Sequence, residues 1–138
     1  MPETKTAKQI MSQRLVTFRP DMDILEAVRV LIDKRISGAP VLDQLGNLVG
    51  MLTERDCLKV ALDASYYRES GGKVESFMTP AVINVSADTP AVEIAERFAT
   101  SHLRRLPVLE NGRLIGIVSR RDVLRQLESG WELDASRA

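Results

Sequence analysis

The stretch GMLTERD at residues 50–56 returns in the second half of the chain as GIVSRRD at residues 116–122. Two shorter matches precede it in the same order: Met11-Ser12 with Met78-Thr79, and APVL at 39–42 with LPVL at 106–109. The offset is 67 residues for the shorter matches (107 − 40) and 66 for the long one (122 − 56). The slip of one falls in a turn, where length changes are tolerated. The chain therefore contains two copies of one unit.

Each copy predicts the same series of elements. An extended piece (16–18; 82–85) is followed by a helix, by two strands (39–42 with 48–52; 106–109 with 113–118), and by a last helix that Thr53 or Ser119 can cap. Gly46 lies in the first hairpin turn, and Asn111-Gly112 is a strong hairpin signal in the second.

The helix after the extended piece carries a start signal in each copy. Asp23, with Glu26 three residues later, has the spacing of a capping box. In the second copy Thr89 is the predicted N-cap and Pro90 the first helical residue. Helical spacing predicts equivalent buried faces, formed by Leu25, Val28, Leu31 and Ile32 and by Val92, Ala95, Phe98 and Ala99.

A unit of about 50 residues with a few short strands buries too little apolar surface to fold alone. We therefore predict an α+β fold in which two βαββα motifs pack sheet to sheet, with pseudo-two-fold symmetry, as one module. The predicted boundaries are 10–62 for the first motif, 63–76 for a linker, 77–128 for the second motif and 129–138 for a flexible C-terminal tail.

The composition excludes several classes of protein. The 138 residues carry 19 basic and 19 acidic side chains, so no overall charge favours nucleic acid or a membrane surface. No signal peptide or membrane span is visible, and the single cysteine, Cys57, suits a reducing compartment. The sequence predicts a cytoplasmic protein. His102 has no Cys or His companions, so no metal site is predicted.

Each copy, an apolar-Pro-Val strand followed by Gly-x-x-(Thr/Ser)-x-x-Asp, resembles the CBS motif over roughly residues 10–60 and 77–127. The resemblance implies a non-catalytic regulatory module with clefts between the two motifs. It implies an adenine nucleotide (AMP, ADP or ATP) as the ligand, with S-adenosylmethionine or NAD(H) as alternatives. It also implies a homodimer that acts on a separate partner protein.

In that family the Asp of the motif accepts hydrogen bonds from the ribose hydroxyls, and the Thr or Ser contacts phosphate or ribose. Carried over, these residues are Asp56 with Thr53, and Asp122 with Ser119. A helix N-terminus favours a carboxylate and offers N–H groups to a phosphate. The alternative is that all four residues only cap helices. On the ligand interpretation, alanine at either aspartate removes binding at one cleft with little change in the melting point of the unliganded protein.

Cations are predicted for the phosphate end of the ligand. The resemblance implies Arg104 and Arg105, at positions where nucleotide-binding members carry His-Arg. Arg55 and Arg121 lie inside the two Asp segments, and arginine makes paired, charge-assisted bonds to phosphate. The first copy has Ser37-Gly38 at the positions of Arg104-Arg105. The resemblance implies that each cleft takes its Asp from one copy and part of its phosphate contacts from the other, which would assign Arg104 and Arg105 to the cleft of Asp56 and Ser37-Gly38 to that of Asp122. We therefore predict two clefts of unequal charge, one for a polyphosphate and one for a smaller or less charged ligand. The alternative is that these arginines are solvated or make surface ion pairs.

The adenine ring needs an apolar slot with backbone hydrogen bonds at its edge. The resemblance implies positions near the ends of the strands: Thr17 and Asn84, then Ala39 and Pro40, then Leu106 and Pro107. Most of these would be apolar in any packed version of the fold.

Other functions are weaker. No Ser/His/Asp arrangement or Gly-rich phosphate loop points to an enzyme. A purely structural dimerisation module that has lost its ligand stays open, and nucleic-acid binding is disfavoured by the balanced charge. Cys57 is predicted to be a buried, unreactive thiol.

Overall fold

A computed structural model describes residues 5–67, 72–80 and 82–137 of the chain. Its helices and strands, in chain order, are α1 (Ala7–Ile10), α2 (Ile24–Lys34), β1 (Gly38–Leu42), β2 (Leu48–Thr53), α3 (Glu54–Tyr67), β3 (Val85–Ser86), α4 (Ala91–Ala99), β4 (Arg105–Glu110), β5 (Arg113–Ser119) and α5 (Arg120–Arg137). A single turn of 3₁₀ helix, Val74–Ser76, lies between α3 and β3. These helices and antiparallel hairpins form the α+β fold that the sequence predicts.

The chain divides into two units. The first unit consists of residues 16–82, and the second unit combines residues 1–15 with residues 83–138. Each has a core of its own. The core of the first unit includes Phe18, Leu31 and Leu52, and that of the second includes Phe98, Leu106 and Val118.

The two hairpins have the same register, which confirms the alignment of the copies. In the first unit β1 pairs antiparallel with β2, so that Gly38 lies opposite Thr53. In the second unit β4 pairs antiparallel with β5, so that Arg105 lies opposite Ser119. Both ladders shift register at the equivalent place, between Val41 and Leu42 and between Val108 and Leu109. The slip from 67 to 66 follows this shift and falls in the turn, as predicted.

The hairpin turns use the residues that the sequence singled out. Gly46 has φ 84° in the first turn, and Asn111 and Gly112 have φ 53° and 78° in the second. Positive φ at both central residues is the requirement of a type I′ turn, which Asn-Gly satisfies at little cost.

Each copy's leading segment packs in the unit that holds the other copy's hairpin. In the second unit, Ser12 exchanges two backbone hydrogen bonds with Ile117, of 2.8 and 3.1 Å. In the first unit, Thr79 exchanges two with Met51, both 2.9 Å. The Met before each bridge packs over a strand glycine, Met11 over Gly116 and Met78 over Gly50. The units therefore do not coincide with the repeats. Residues 5–15 pack with the hairpin of the second copy, and residues 72–80 pack with the hairpin of the first copy.

The buried faces of α2 and α4 are equivalent, and they match the predicted ones only in part: Leu31 and Phe98 are buried as predicted, and Val28 and Ala95 pack against the cores. Ile24, Ala27 and Leu31 are buried in α2, whereas Leu25 is 40% exposed and Ile32 is 69% exposed. In α4 the buried residues are Ala91, Ile94 and Phe98, whereas Val92 is 50% exposed. Both helices carry adjacent apolar stripes, and apolar spacing alone does not tell which stripe meets the strands.

The predicted start of α2 is confirmed, whereas other boundaries differ from the prediction. Asp23 is the N-cap of α2, and its side chain accepts a hydrogen bond from the Leu25 N–H at 3.1 Å. Pro90, not Thr89, is the N-cap of α4, because the Pro90 carbonyl accepts the first helical bond, from Ile94. The predicted linker, 63–76, includes the end of α3 and the buried Val74.

Helix α5 continues to Arg137 and so covers most of the segment assigned to a tail, 129–138. No described helix combines the length and apolar character that crossing a bilayer requires.

Candidate functional site

The junction between β2 and α3 is closed by a reciprocal capping box. The N–H and the hydroxyl of Thr53 both donate to Oδ2 of Asp56, at 2.9 and 3.0 Å. In return the N–H of Asp56 donates to Oγ1 of Thr53 at 3.3 Å. Both residues are half-buried. The two residues that the sequence singled out for ribose and phosphate are thus brought together.

The second unit repeats this arrangement between β5 and α5. The N–H of Ser119 donates to Oδ2 of Asp122 at 2.8 Å, and the N–H of Asp122 donates to Oγ of Ser119 at 3.2 Å. Ser119 and Asp122 are half-buried as well. The duplication therefore extends from the sequence to individual hydrogen bonds.

The four residues do cap helices, as the alternative interpretation predicts. Capping is compatible with a ligand role, because a carboxylate has two oxygens and the capping bonds use Oδ2. Oδ1 is the atom of Asp56 or Asp122 that would accept a hydroxyl group from a ligand. Held by the cap, the carboxylate presents that oxygen in a fixed orientation.

The helix N-termini offer fewer donors to a phosphate than the sequence suggested. In α3 the N–H of Glu54 donates to the carbonyl of Ser37 at 2.9 Å, and the N–H of Asp56 is used in the cap. In α5 the N–H of Arg120 donates to the carbonyl of Arg104 at 3.1 Å. Since these first-turn groups are bonded within the protein, a phosphate at either helix end needs side-chain cations in addition.

The same bonds show that Ser37-Gly38 and Arg104-Arg105 occupy equivalent positions. The first residue of each pair immediately precedes the first strand of its hairpin, and the second residue begins that strand. This second residue lies opposite the capping residue of the following helix. Arg104 is exposed and Arg105 half-buried, whereas Gly38 is buried. The two junctions therefore differ in charge, and the unequal charge of the two clefts stays a prediction.

The remaining arginines fall into two groups. Arg55 and Arg121 lie in the first turns of α3 and α5 and are exposed to solvent. Arg120 is used internally, since its Nε donates to the carbonyl of Leu103 at 2.7 Å. That bond ties the start of α5 to the loop before β4, so Arg120 has a structural role.

The residues predicted to surround adenine separate by burial. Thr17 and Asn84 are exposed, whereas Ala39, Pro40, Leu106 and Pro107 are buried. The carbonyl of Pro40 accepts a hydrogen bond from the Phe18 N–H at 2.9 Å. A residue whose side chain fills the core can contact a ligand mainly through its backbone groups. The four buried residues therefore support the exposed positions, Thr17 and Asn84.

Cys57 follows Asp56 on α3 and is 9% exposed. Burial raises the pKa of its thiol to about 11, and the charges of Asp56 and Glu54 act in the same direction. A thiol that stays protonated is a poor nucleophile. The prediction that Cys57 is buried is confirmed, and the raised pKa supports the prediction that its thiol is unreactive.

A groove of about 550 Å³ lies on the second unit between α4 and α5. It contains none of the predicted site residues, and its lining is mainly apolar: Ala95, Phe98, Ala99, Ser101, Arg120, Val123, Leu124 and Leu127.

A sequence profile of the CBS domain matches residues 7–63 and residues 74–129. The chain belongs to the CBS domain family. The resemblance drawn from the two Gly-x-x-(Thr/Ser)-x-x-Asp segments is thereby confirmed.

Two solved CBS structures match the whole fold. The CBS domain pair of protein MJ0100, in complex with 5′-methylthioadenosine and S-adenosylmethionine, has a TM-score of 0.77 and 28% identity over 93% of this chain and 99% of that one. CBSX2 in complex with AMP has a TM-score of 0.80 and 28% identity over 91% of this chain and 97% of that one.

Among curated proteins, the chain is 30% identical over 124 residues to MJ1225 of Methanocaldococcus jannaschii, described as uncharacterized. The match covers 90% of this chain but spans only 43% of the length of that relative.

Proposed function

We propose that this CBS pair is a regulatory module that binds an adenosine-containing ligand at its two capped helix starts and modulates a separate partner protein. In this proposal Asp56 and Asp122 accept the ribose hydroxyls through Oδ1. Thr53 and Ser119 contact ribose or phosphate. The exposed residues Thr17 and Asn84, with backbone groups of the first strands of the hairpins, contact the base.

The observation that carries the proposal is the duplicated capping box. A helix cap alone needs only a polar side chain at the first position. Here both copies add an aspartate three residues later, whose Oδ2 accepts the strand-end N–H at 2.9 and 2.8 Å. This fixes two carboxylates in the same orientation at equivalent places, which suits recognition of a diol.

An adenine nucleotide is the first choice of ligand, because arginines accompany the carboxylates. Arg104, Arg105 and Arg121 are the cations that we assign to phosphate, with Arg55 as the counterpart of Arg121. The AMP complex of CBSX2, at 28% identity, supports the same class of ligand.

S-adenosylmethionine is the second candidate. The CBS pair of MJ0100 binds it together with 5′-methylthioadenosine. These ligands carry no phosphate, so a junction such as Ser37-Gly38, which lacks a cation, suits them.

A thermal-shift panel with AMP, ADP, ATP, S-adenosylmethionine and NADH tests the proposal. A ligand at about 100 times its Kd stabilises the folded state by roughly 2.7 kcal/mol, which raises Tm by several degrees in a protein of this size. Isothermal titration calorimetry then gives the number of sites. If none of the five ligands shifts Tm, the module has a structural role and the ligand proposal fails.

A regulatory module is expected to change its association with another chain when the ligand binds. We include a homodimer in the proposal, and light scattering tests it by measuring the molar mass with and without the preferred ligand. A mass of one chain at all protein concentrations used in the panel would contradict it.

A further inference from the structure

Asn111 and Gly112 form the exposed tip of the second hairpin, between β4 and β5. Within the described part of the chain, neither the carboxamide of Asn111 nor the N–H of Gly112 makes a hydrogen bond. A Cβ placed on Gly112 would meet no atom within 4 Å. The backbone nitrogen that follows Asn111 is therefore unshielded, by its own residue and by its neighbours.

An unshielded nitrogen after an asparagine can attack the side chain of that asparagine. The Gly112 nitrogen forms a bond to Cγ of Asn111, and Nδ2 leaves as ammonia with the proton that the Gly112 nitrogen loses. The product is a succinimide ring. Water then adds to one of the two ring carbonyls and returns a proton to the Gly112 nitrogen. Opening at the side-chain carbonyl gives aspartate, and opening at the main-chain carbonyl gives isoaspartate, in which the backbone runs through the side chain.

Ring closure requires these two residues to leave the turn conformation, in which φ is 53° at Asn111 and 78° at Gly112. Glycine follows such a change at little steric cost, because it has no Cβ. Neither residue has a hydrogen bond of its own that the change would break. Loop tips of this kind open locally at a small fraction of the global free energy of unfolding. The fold therefore leaves the reaction accessible.

The chain contains three asparagines, and the other two are shielded. Asn47 donates its side-chain N–H to Oδ2 of Asp43 at 3.1 Å and its backbone N–H to Oδ1 at 2.9 Å. The nitrogen after Asn47 belongs to Leu48, the first residue of β2. Asn84 precedes Val85, a buried residue of β3. In both cases a branched side chain on the following residue crowds the nitrogen that would attack.

We propose that Asn111 is a site of spontaneous deamidation, and that its isoaspartate product destabilises the end of the second hairpin. The aspartate product keeps the turn, since Asp-Gly suits a type I′ turn as Asn-Gly does. Isoaspartate lengthens the backbone between Glu110 and Arg113, so the two-residue loop no longer fits their pairing. Glu110 also accepts hydrogen bonds from Lys8 at 3.1 and 3.3 Å. The modification thus reaches a contact that joins residues 5–15 to this hairpin.

Tryptic peptide mapping of the aged, folded protein tests the site. Each asparagine falls in its own tryptic peptide, at residues 36–55, 74–97 and 106–113. After incubation in a mildly alkaline buffer, mass spectrometry should show an NH₂ replaced by OH in peptide 106–113. We expect this conversion to be at least about tenfold faster than in the other two peptides, because only Asn111 is followed by a glycine. Asn111→Gly is the matched control, since Gly-Gly also suits the turn and has no amide to lose.

Melting of the separated products tests the consequence. Ion-exchange chromatography isolates the deamidated chains, and an isoaspartyl methyltransferase measures their isoaspartate content. Freshly prepared Asn111→Asp is expected to melt within about 1 °C of the unaltered protein, whereas the isoaspartate form is expected to melt about 4 °C lower. Aged Asn111→Gly should keep the Tm of the fresh variant.

Deamidation of peptide 36–55 or 74–97 as fast as that of peptide 106–113 would overturn the assignment of the site. A peptide 106–113 that stays intact in the folded protein and deamidates only in urea would overturn it as well, because the hairpin would then protect Asn111. Equal melting of the aspartate and isoaspartate forms would overturn the destabilisation. None of these outcomes depends on a ligand, so the test is separate from that of the proposed function.

Discussion

Replacing Asp56 by asparagine separates the capping role of this side chain from its proposed role in binding ribose. The amide oxygen of the introduced asparagine can still accept the Thr53 N–H, which Oδ2 of Asp56 accepts at 2.9 Å. Its NH₂ group then stands where Oδ1 would accept a ribose hydroxyl, so an acceptor becomes a donor. We expect Asp56→Asn to keep the fold and to weaken the ligand.

The magnitudes follow from the bonds involved. Loss of one hydrogen bond to a charged group costs about 1.5–3 kcal/mol, which raises Kd about 10- to 150-fold. At a concentration of about 100 times the original Kd, a 30-fold weaker ligand stabilises by about 0.9 kcal/mol instead of about 2.7. Asp56→Ala removes the acceptor of the Thr53 N–H and hydroxyl but keeps the N–H that Oγ1 of Thr53 accepts, so half of the capping box is lost, at about 1 kcal/mol or about 4 °C in Tm. The sequence predicted little change in the melting point with alanine, and the bonds to Oδ2 favour this modest decrease.

Differential scanning fluorimetry of the free proteins measures the cap, and calorimetry with the preferred ligand measures the site. Asp122→Asn and Asp122→Ala are the matched variants, because Asp122 makes the equivalent bond at 2.8 Å. If both asparagine variants bind as well as the unaltered protein while both alanine variants only melt earlier, the two carboxylates are caps and nothing more.

Three further predictions concern the framework. Because the Cys57 thiol keeps its proton up to a pKa of about 11 in the fold, against an ordinary value of 9.0, unfolding releases a proton between these pH values and stability falls as pH rises through them. Urea titrations across this range should show the fall and lose it in Cys57→Ala. Gly116→Ala should lower the free energy of unfolding by about 1–3 kcal/mol, because its Cβ would overlap Met11; Met11→Ala in the same chain should restore part of this, and no restoration would mean that the clash lies elsewhere. Deletion of residues 1–12 removes the fully buried Ala7 and both bonds to β5, so hydrogen exchange should lose protection in the second unit and keep it in the first; equal protection in both would contradict the assignment of this segment.

The hairpins could be predicted to within a residue or two because both of their determinants are local. Alternating apolar residues and a Pro-Val strand mark β1 and β4, and Asn111-Gly112 fixes a turn type by its φ angles. The repeat provides a second, independent sequence for each element. A prediction that both copies support is more secure than one from a single pattern, and this is why the one-residue change in offset could be placed in the turn.

Other features escaped because they depend on contacts between distant segments. The sequence ILEAVRVLIDK of α2 has overlapping apolar stripes. Packing against the strands determines that Ile24 is buried and Leu25 is exposed. Helix α1 has four residues, too few for a period to be visible. The capping boxes at Thr53 and Ser119 did have a signal, the polar residue followed three positions later by aspartate, but a cap and a ligand site share it.

The exchange of leading segments was also beyond the sequence. The repeat shows that Met11 and Met78 occupy equivalent positions, but it does not show which of the two similar hairpins each methionine contacts. Both hairpins offer a glycine at the same place, Gly50 and Gly116, so the choice is made by the path of the chain.

This exchange has a consequence for the preparation of fragments of this protein. The chain passes from one unit to the other after Leu15 and after Val82. A fragment that ends at the edge of a repeat would lack the leading segment that its hairpin binds and would carry one that belongs to the other hairpin, so fragments are best divided at these two points.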